Sequence, residues 1–222
     1  MKTLKYFCWP ALMAVFMVFA SATDAGKETK RLEKSTQVLK DFAEMKESIP
    51  SELLKIAEGI IVVPNLINAG LGIGGKHGKG VAVVKTASGA WSNPVFVAIT
   101  GGSLGLQAGV QSVDLVLVFK HKSTLTKITN SDFTLGGDIS VAAGPVGRSS
   151  TASTNVNLEA EVYSYSRSKG LFAGITLSGS NISLDKTANS SFYGSSAGSS
   201  QFSKSTSTNA NIVALRSAVS AL

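Results

Sequence analysis

Phe96-Val-Ala-Ile-Thr-Gly-Gly-Ser-Leu-Gly-Leu-Gln-Ala-Gly-Val-Gln-Ser-Val-Asp-Leu-Val-Leu-Val-Phe119 opens apolar, thins to glycine, serine and glutamine, and closes apolar again. Read with a period of two, Leu104, Leu106, Ala108 and Val110 fall on one face. Ser103, Gly105, Gln107, Gly109 and Gln111 fall on the other. Alternation of this kind marks a half-buried strand. The small, polar face suits a cavity lining, a close backbone neighbour or water. Gly101, Gly105 and Gly109 share a face, which lets a sheet bend.

Working outward, the pattern on both sides is also β. Upstream, Ile60–Val63 reads as a buried strand ended by Pro64. Leu66–Gly75 alternates, Lys76-His77-Gly78-Lys79 reads as a turn, and Gly80–Thr86 as the return strand. Ala87-Ser88-Gly89 is the next turn, and Trp91–Thr100 leads into the central stretch. Downstream, Lys120–Ser131 is polar and basic, a loop or short helix. Phe133–Ala143, Asn155–Ser166 and Leu171–Leu184 read as strands, with Arg167-Ser-Lys-Gly170 as a turn. Asp185 is placed to cap a short helix to Phe192. Gly194–Asn211 is rich in serine, threonine and glycine and reads as a flexible link before a short C-terminal helix.

The N-terminal part is helical. Leu32, Val38, Leu39, Phe42 and Met45 fall near one face of a helix over 29–47. That face packs on a core or touches a membrane; its balanced charge favours the core. Ser48-Ile49-Pro50-Ser51 starts a second helix over 52–58, with Gly59 as its C-cap. The expected fold class is α+β: N-terminal helices packed on a strongly curved, mainly antiparallel, Gly-rich β-sheet or partly closed barrel.

The first residues have the pattern of an export signal. Lys2 and Lys5 precede an apolar run, Tyr6–Phe19, and Ala20-Ser21-Ala22 fits a cleavage site, so cleavage after Ala22 is expected. This gives a signal peptide over 1–22, a domain over 23–194, and a link with a short helix over 195–222. The expected location is the periplasm or cell envelope, or outside the cell. The chain's one cysteine is Cys8, so the mature chain has no disulfide, thiolate metal site or cysteine nucleophile. The formal charge is +7. Residues 27–58 hold seven bases and seven acids, while 60–222 hold twelve bases and six acids. A basic surplus on an exported body favours anionic lipid over nucleic acid.

Motifs for chemistry fail on inspection. Gly101-Gly-Ser-Leu-Gly105 matches G-x-S-x-G, but that elbow needs a strand, a sharp turn and a helix. Here the alternation runs through Ser103, and the available partners, Asp114 and His121, would crowd the whole set into 19 residues. A serine hydrolase is the remote alternative. Gly72–Gly80 lacks the spacing of a phosphate loop. Two isolated histidines, His77 and His121, make no metal set, and no cofactor is expected.

The run 101–119 resembles the SYLF domain, a lipid-binding module whose fungal members are also called YAB actin-binding domains. Ser140-Val-Ala-Ala-Gly-Pro-Val-Gly-Arg148, Tyr163-Ser-Tyr-Ser-Arg-Ser-Lys-Gly-Leu-Phe-Ala-Gly174 and Ala188-Asn-Ser-Ser-Phe-Tyr-Gly194 resemble it too. The resemblance covers residues 30–194. It implies a binding module without catalysis that contacts anionic phospholipid, of phosphoinositide type in eukaryotic relatives. Actin is a partner by family analogy only. The alternative is an envelope scaffold that binds another protein. Surface electrostatics points to Lys76, His77, Lys79, Lys120, Lys122, Lys127, Arg167 and Lys169 as the lipid contacts.

Overall fold

The structure, a computed structural model, describes residues 9–45, 49–145, 158–168, 171–172, 175–194 and 199–222. A single helix α1 (Trp9–Glu44) leads through Pro50 into a short α2 (Ser51–Ile56). Two long strands follow, β1 (Gly59–Val84) and β2 (Val95–Phe119). A short α3 (Lys122–Thr126) and a 3-10 turn (Lys127–Thr129) lead to β3 (Phe133–Leu135) and β4 (Val141–Ala143). Then come β5 (Val162–Ser168), β6 (Leu171–Phe172) and β7 (Ser180–Leu184). The chain closes with α4 (Lys186–Tyr193), a 3-10 turn (Ser199–Ser203) and α5 (Ala210–Ser220). The architecture is α+β, and the sheet is mainly antiparallel and closes towards a barrel; among the described strands β4 and β5 run parallel. No helix among the described residues is long and apolar enough to cross a membrane.

β2 is the hub of the sheet. One edge pairs with β1 from Val95 to Phe119. The other edge pairs with β7 over Val97–Gly101 and with β5 over Asp114–Phe119. The ends of the two long strands are continuous apolar runs because both faces are buried. Ile60, Val62, Val81, Val83, Val116 and Val118 face a layer formed by Leu32, Leu39 and Phe42 of α1, Leu53 of α2, and Ile212 and Leu215 of α5. The alternate residues, Ile61, Val63, Ala82, Val84, Leu115, Leu117 and Phe119, face inward onto Leu125, Phe133, Leu135 and Ile182.

Several sequence expectations are corrected here. Lys76–Lys79 is no turn, and Gly80–Thr86 is no separate return strand; residues 76–84 lie within β1, which pairs with the first part of β2 as far as Ala82. Glycine here serves curvature. A Cβ on Gly80 would overlap the Val62 carbonyl, and one on Gly78 would approach Val63 Cγ1 to 2.6 Å. β1 therefore curls until its end lies against its own beginning, which only glycine permits at such a backbone approach. Pro64 does not end a strand. It sits at a bulge between Val63 and Leu66, where Asn65 adopts φ 50° and donates its N–H to Asp114 Oδ1 at 3.0 Å.

Gly59 is the first residue of β1 rather than a helix cap, because Ala57 has already turned extended. Phe133–Ala143 divides into β3 and β4, broken at Gly136 with φ 77°. The last segment is tied down as well. Asn93 donates its backbone N–H to the Lys204 carbonyl and its amide to Gln201 and the Thr206 carbonyl, and Phe202 is buried. Residues 199–209 are thus packed on the sheet where a flexible link is expected.

Candidate functional site

Two charge clusters fasten α1 to the sheet. Asp185 caps α4, its Oδ1 accepting the Ala188 N–H at 3.1 Å. Its Oδ2 takes Arg31 of α1 at 3.0 Å and Lys79 of β1 at 3.2 Å. Arg31 also pairs with Glu28 and lies 5.2 Å from the centre of the Phe96 ring. Burial pushes the Asp185 carboxyl up, but the Ala188 N–H, Arg31 and Lys79 outweigh it and hold the pKa below the ordinary value. In the second cluster, Arg167 of β5 bridges Asp41 of α1 and Asp114 of β2, and stands 5.8 Å from the Phe42 ring.

These clusters place the cations singled out in the sequence. Lys76, His77 and Lys79 lie in a row on β1, opposite Gly101, Thr100 and Ala98. His77 is exposed, while Lys76 is buried and donates to the Thr176 carbonyl. Burial pushes the Lys76 amine below the ordinary lysine value. Lys120, Lys122 and Lys127 gather separately, where β2 meets α3. Lys120 donates to the Leu158 carbonyl at 2.8 Å, and the side chains of Lys122 and Lys127 are exposed. Lys169 lies outside the described residues. No contact among the described residues joins the β1 group to the α3 group, and Lys79 and Arg167 are already neutralised by acids.

The residues of the hydrolase alternative do not assemble. β2 continues unbroken through Ser103, which pairs with Gly74, so no elbow exists. Asp114 is committed to Arg167 and Asn65. His121 bonds Glu161 at 2.7 Å.

A third assembly of cations was not legible in the sequence. α5 packs along α1, and its last turns meet α2 and the turn after β1. Between them opens a groove of about 650 Å³. Its apolar wall is Leu54, Trp91, Val213, Val219 and Leu222, and its charged lining is Lys85 and Arg216, with no acidic side chain. Lys85 Nζ stands 5.4 Å over the Trp91 ring. Arg216 Nε is buried and has no hydrogen-bond partner among the described residues. Asn209 caps α5 through the N–H groups of Asn211 and Ile212, which fixes the helix that carries Arg216. Lys85 and Trp91 face each other across one local turn, and tertiary packing brings Arg216 of α5 to them.

A profile of the Ysc84 family, described as Las17-binding protein actin regulators, matches residues 100–222. The chain belongs to this family, the SYLF domain family. It is 37% identical over 149 residues to LAS seventeen-binding protein 3 of Saccharomyces cerevisiae, covering 66% of this chain and 32% of that one. It is 35% identical over 176 residues to Protein YSC84 of the same yeast, covering 75% and 37%. It is 33% identical over 168 residues to SH3 domain-containing YSC84-like protein 1 of Xenopus laevis, covering 72% and 50%. The chain thus spans a third to a half of the length of these relatives.

The Ysc84 strings have physical roles in this fold. Asn189, from the Ala188–Gly194 string, is buried and grips Phe96 as a neighbouring strand would. Its Oδ1 accepts the Phe96 N–H at 3.0 Å and its Nδ2 donates to the Phe96 carbonyl at 2.8 Å. Phe192 and Tyr193 pack on the Phe96 ring, and the Tyr193 hydroxyl donates to the Pro94 carbonyl at 2.7 Å. Gly144, from the Ser140–Arg148 string, faces the Tyr165 ring so closely that any side chain would overlap it. These residues set the scaffold, and the profile match runs through the whole of α5, including Arg216.

Proposed function

We propose that this chain is a non-catalytic lipid-binding module, exported to the periplasm or cell envelope by its N-terminal segment, that contacts anionic phospholipid. The groove between α5, α2 and the turn after β1 carries the reading. It combines two cationic side chains, no acidic side chain and an apolar wall that includes an indole, which is the chemistry an anionic headgroup with its first acyl carbons requires. The Arg216 guanidinium lines the groove and can offer charge-assisted hydrogen bonds to a phosphate oxygen there. The exposed Lys122 and Lys127 add long-range attraction to the same surface charge.

Flotation with vesicles of phosphatidylcholine, with and without phosphatidylglycerol, tests the reading. Binding is expected only with the anionic lipid and weakens with added salt. Replacing both groove cations, Lys85→Ser with Arg216→Ser, lowers partitioning roughly 30-fold, at about 1 kcal/mol per cation near the surface. No binding at low salt, or equal binding to neutral vesicles, sinks it.

A protein partner is the second reading, favoured by relatives named as LAS seventeen-binding. It predicts co-purification of one defined protein from envelope extracts that persists after lipid is extracted. It also predicts no binding to vesicles of either composition.

A further inference from the structure

The middle of the β1–β2 ribbon differs chemically from the rest of the molecule. Leu66–Gly75 and Gly102–Val113, paired with one another, contain no charged residue. On the outer edge of β2, β7 stops at Gly101 and β5 begins at Asp114. Among the described residues, no strand other than β1 pairs with residues 102–113.

Register fixes what this region shows to its surroundings. Ile67 pairs with Ser112 and Ala69 with Val110, so these four side chains share one face. Asp114 and Arg167 lie further along that face, which is the side where Arg167 meets Asp41 of α1. Beyond that contact the face loses its helical cover: Ile67 is 40% exposed and Val110 72%. On the opposite face, Leu66 and Val113 are buried. Gly102 and Gly109 have nothing within 4 Å of a would-be side chain. Soluble proteins protect an edge of this length with charges, proline or a covering element. This segment has no charge or proline, and its described exposed positions are uncharged, with Ile67 and Val110 the large apolar ones beside glycine, serine and Gln111.

We propose that the uncharged middle of the β1–β2 ribbon dips into the headgroup–acyl boundary of an anionic bilayer, with Ile67 and Val110 leading. This rests on the lipid-binding reading above and adds a second, apolar contact to it. Absence of charge decides for a bilayer, because a ribbon with no ionised group leaves bulk water without the penalty that excludes charged strands. Among the described residues the edge of β2 between β7 and β5 has no strand partner, which limits the depth. Backbone N–H and C=O groups without a strand partner need water, which persists at the interface and not in the hydrocarbon. The polar end of the ribbon, where His77 and Lys79 of β1 are exposed, stays at the level of the headgroups.

The full chain with Cys8→Ser and Val110→Cys carries a single thiol. Labelled with an environment-sensitive fluorophore and mixed with phosphatidylcholine–phosphatidylglycerol vesicles, it is expected to brighten severalfold and shift to the blue. The same label at exposed Ser190→Cys on α4 stays unchanged. An unlabelled Ile67→Asp, Val110→Asp double variant partitions at least tenfold less while keeping its melting temperature. Vesicle binding with a water-like label at position 110 overturns this inference and leaves the lipid-binding reading standing. Absence of vesicle binding at low salt overturns both. Brightening that rises with protein concentration and needs no vesicles overturns it in favour of strand pairing between two copies.

Discussion

At its two ends the β1–β2 ribbon is buried on both faces, while Ile67, Gly102, Gly109 and Val110 in its middle are exposed. The backbone pairing hardly differs; what differs is who else is present. Near Val97–Gly101 the outer edge of β2 is taken by β7, and near Asp114–Phe119 by β5. There the residues are large and apolar on both sides: Val95, Phe96, Val97 and Ile99 at one end, Val113 and Leu115–Phe119 at the other. Between them glycine, serine and glutamine replace valine, and charge disappears. The ends hold the fold, and the middle is free to do something else.

The sharpest way to break this contrast is to put a side chain where β1 meets itself. Gly80→Ala drives a Cβ into the Val62 carbonyl, which is backbone and cannot rotate aside. The expected loss is more than about 3 kcal/mol, the upper end of overpacking costs. Chemical denaturation checks it, and a loss under about 1 kcal/mol, within ordinary surface effects, means β1 does not close on itself. Phe96→Ala follows at about 3 kcal/mol, because the ring is fully buried against Phe192, Tyr193 and Arg31. The same truncation in the middle, Val110→Ala, is expected to stay within about 0.5 kcal/mol.

The ends were also the legible part of the sequence. Ile60–Val63 and Leu115–Phe119 announce buried strands by composition alone, and the Asp185 cap and the C-terminal helix follow from local rules. The misread positions share one cause. Gly78 and Gly80 look like turn residues to a local rule, yet their role is set by Val62, Val63 and Leu66, which come close only after the sheet curls. Pro64 looks like a stop, yet a bulge and the Asp114 carboxylate absorb it. The groove escaped for the same reason: nothing local distinguishes Arg216 on a helix, Lys85 at a strand end and Trp91 after a turn.

The charge clusters at the ends set the acid limb of stability. Asp185 has a folded pKa below the ordinary carboxylate value. Its stabilising contribution is therefore complete above the unfolded value of about 4 and disappears as pH falls through the folded value. Asp185→Asn keeps the cap oxygen but removes the charge that holds Arg31 and Lys79. It is expected to lose about 2 kcal/mol at neutral pH, the scale of hydrogen bonds to charged groups. Urea denaturation across pH should show the two proteins converging in acid. A constant gap at every pH means the carboxylate charge contributes nothing.

The smallest expected effect is the most diagnostic of the middle. Gly102 pairs with Gly75 inside β2, is exposed, and has no atom within 4 Å of a would-be Cβ. Its neighbour Gly101 has the Ser180 Cα within 2.9 Å of that position, because β7 still covers it. One residue therefore separates a glycine the packing demands from one it does not. Gly102→Ala fits without displacement and removes conformational freedom from the unfolded chain, so stability should hold or rise by up to about 0.5 kcal/mol. Gly101→Ala pushes β7 away and should fall by about 2 kcal/mol. Thermal unfolding of the pair, side by side, locates the boundary where the ribbon leaves the core. If both variants lose stability equally, the middle is packed against the rest of the chain, and the open face proposed to meet a bilayer does not exist.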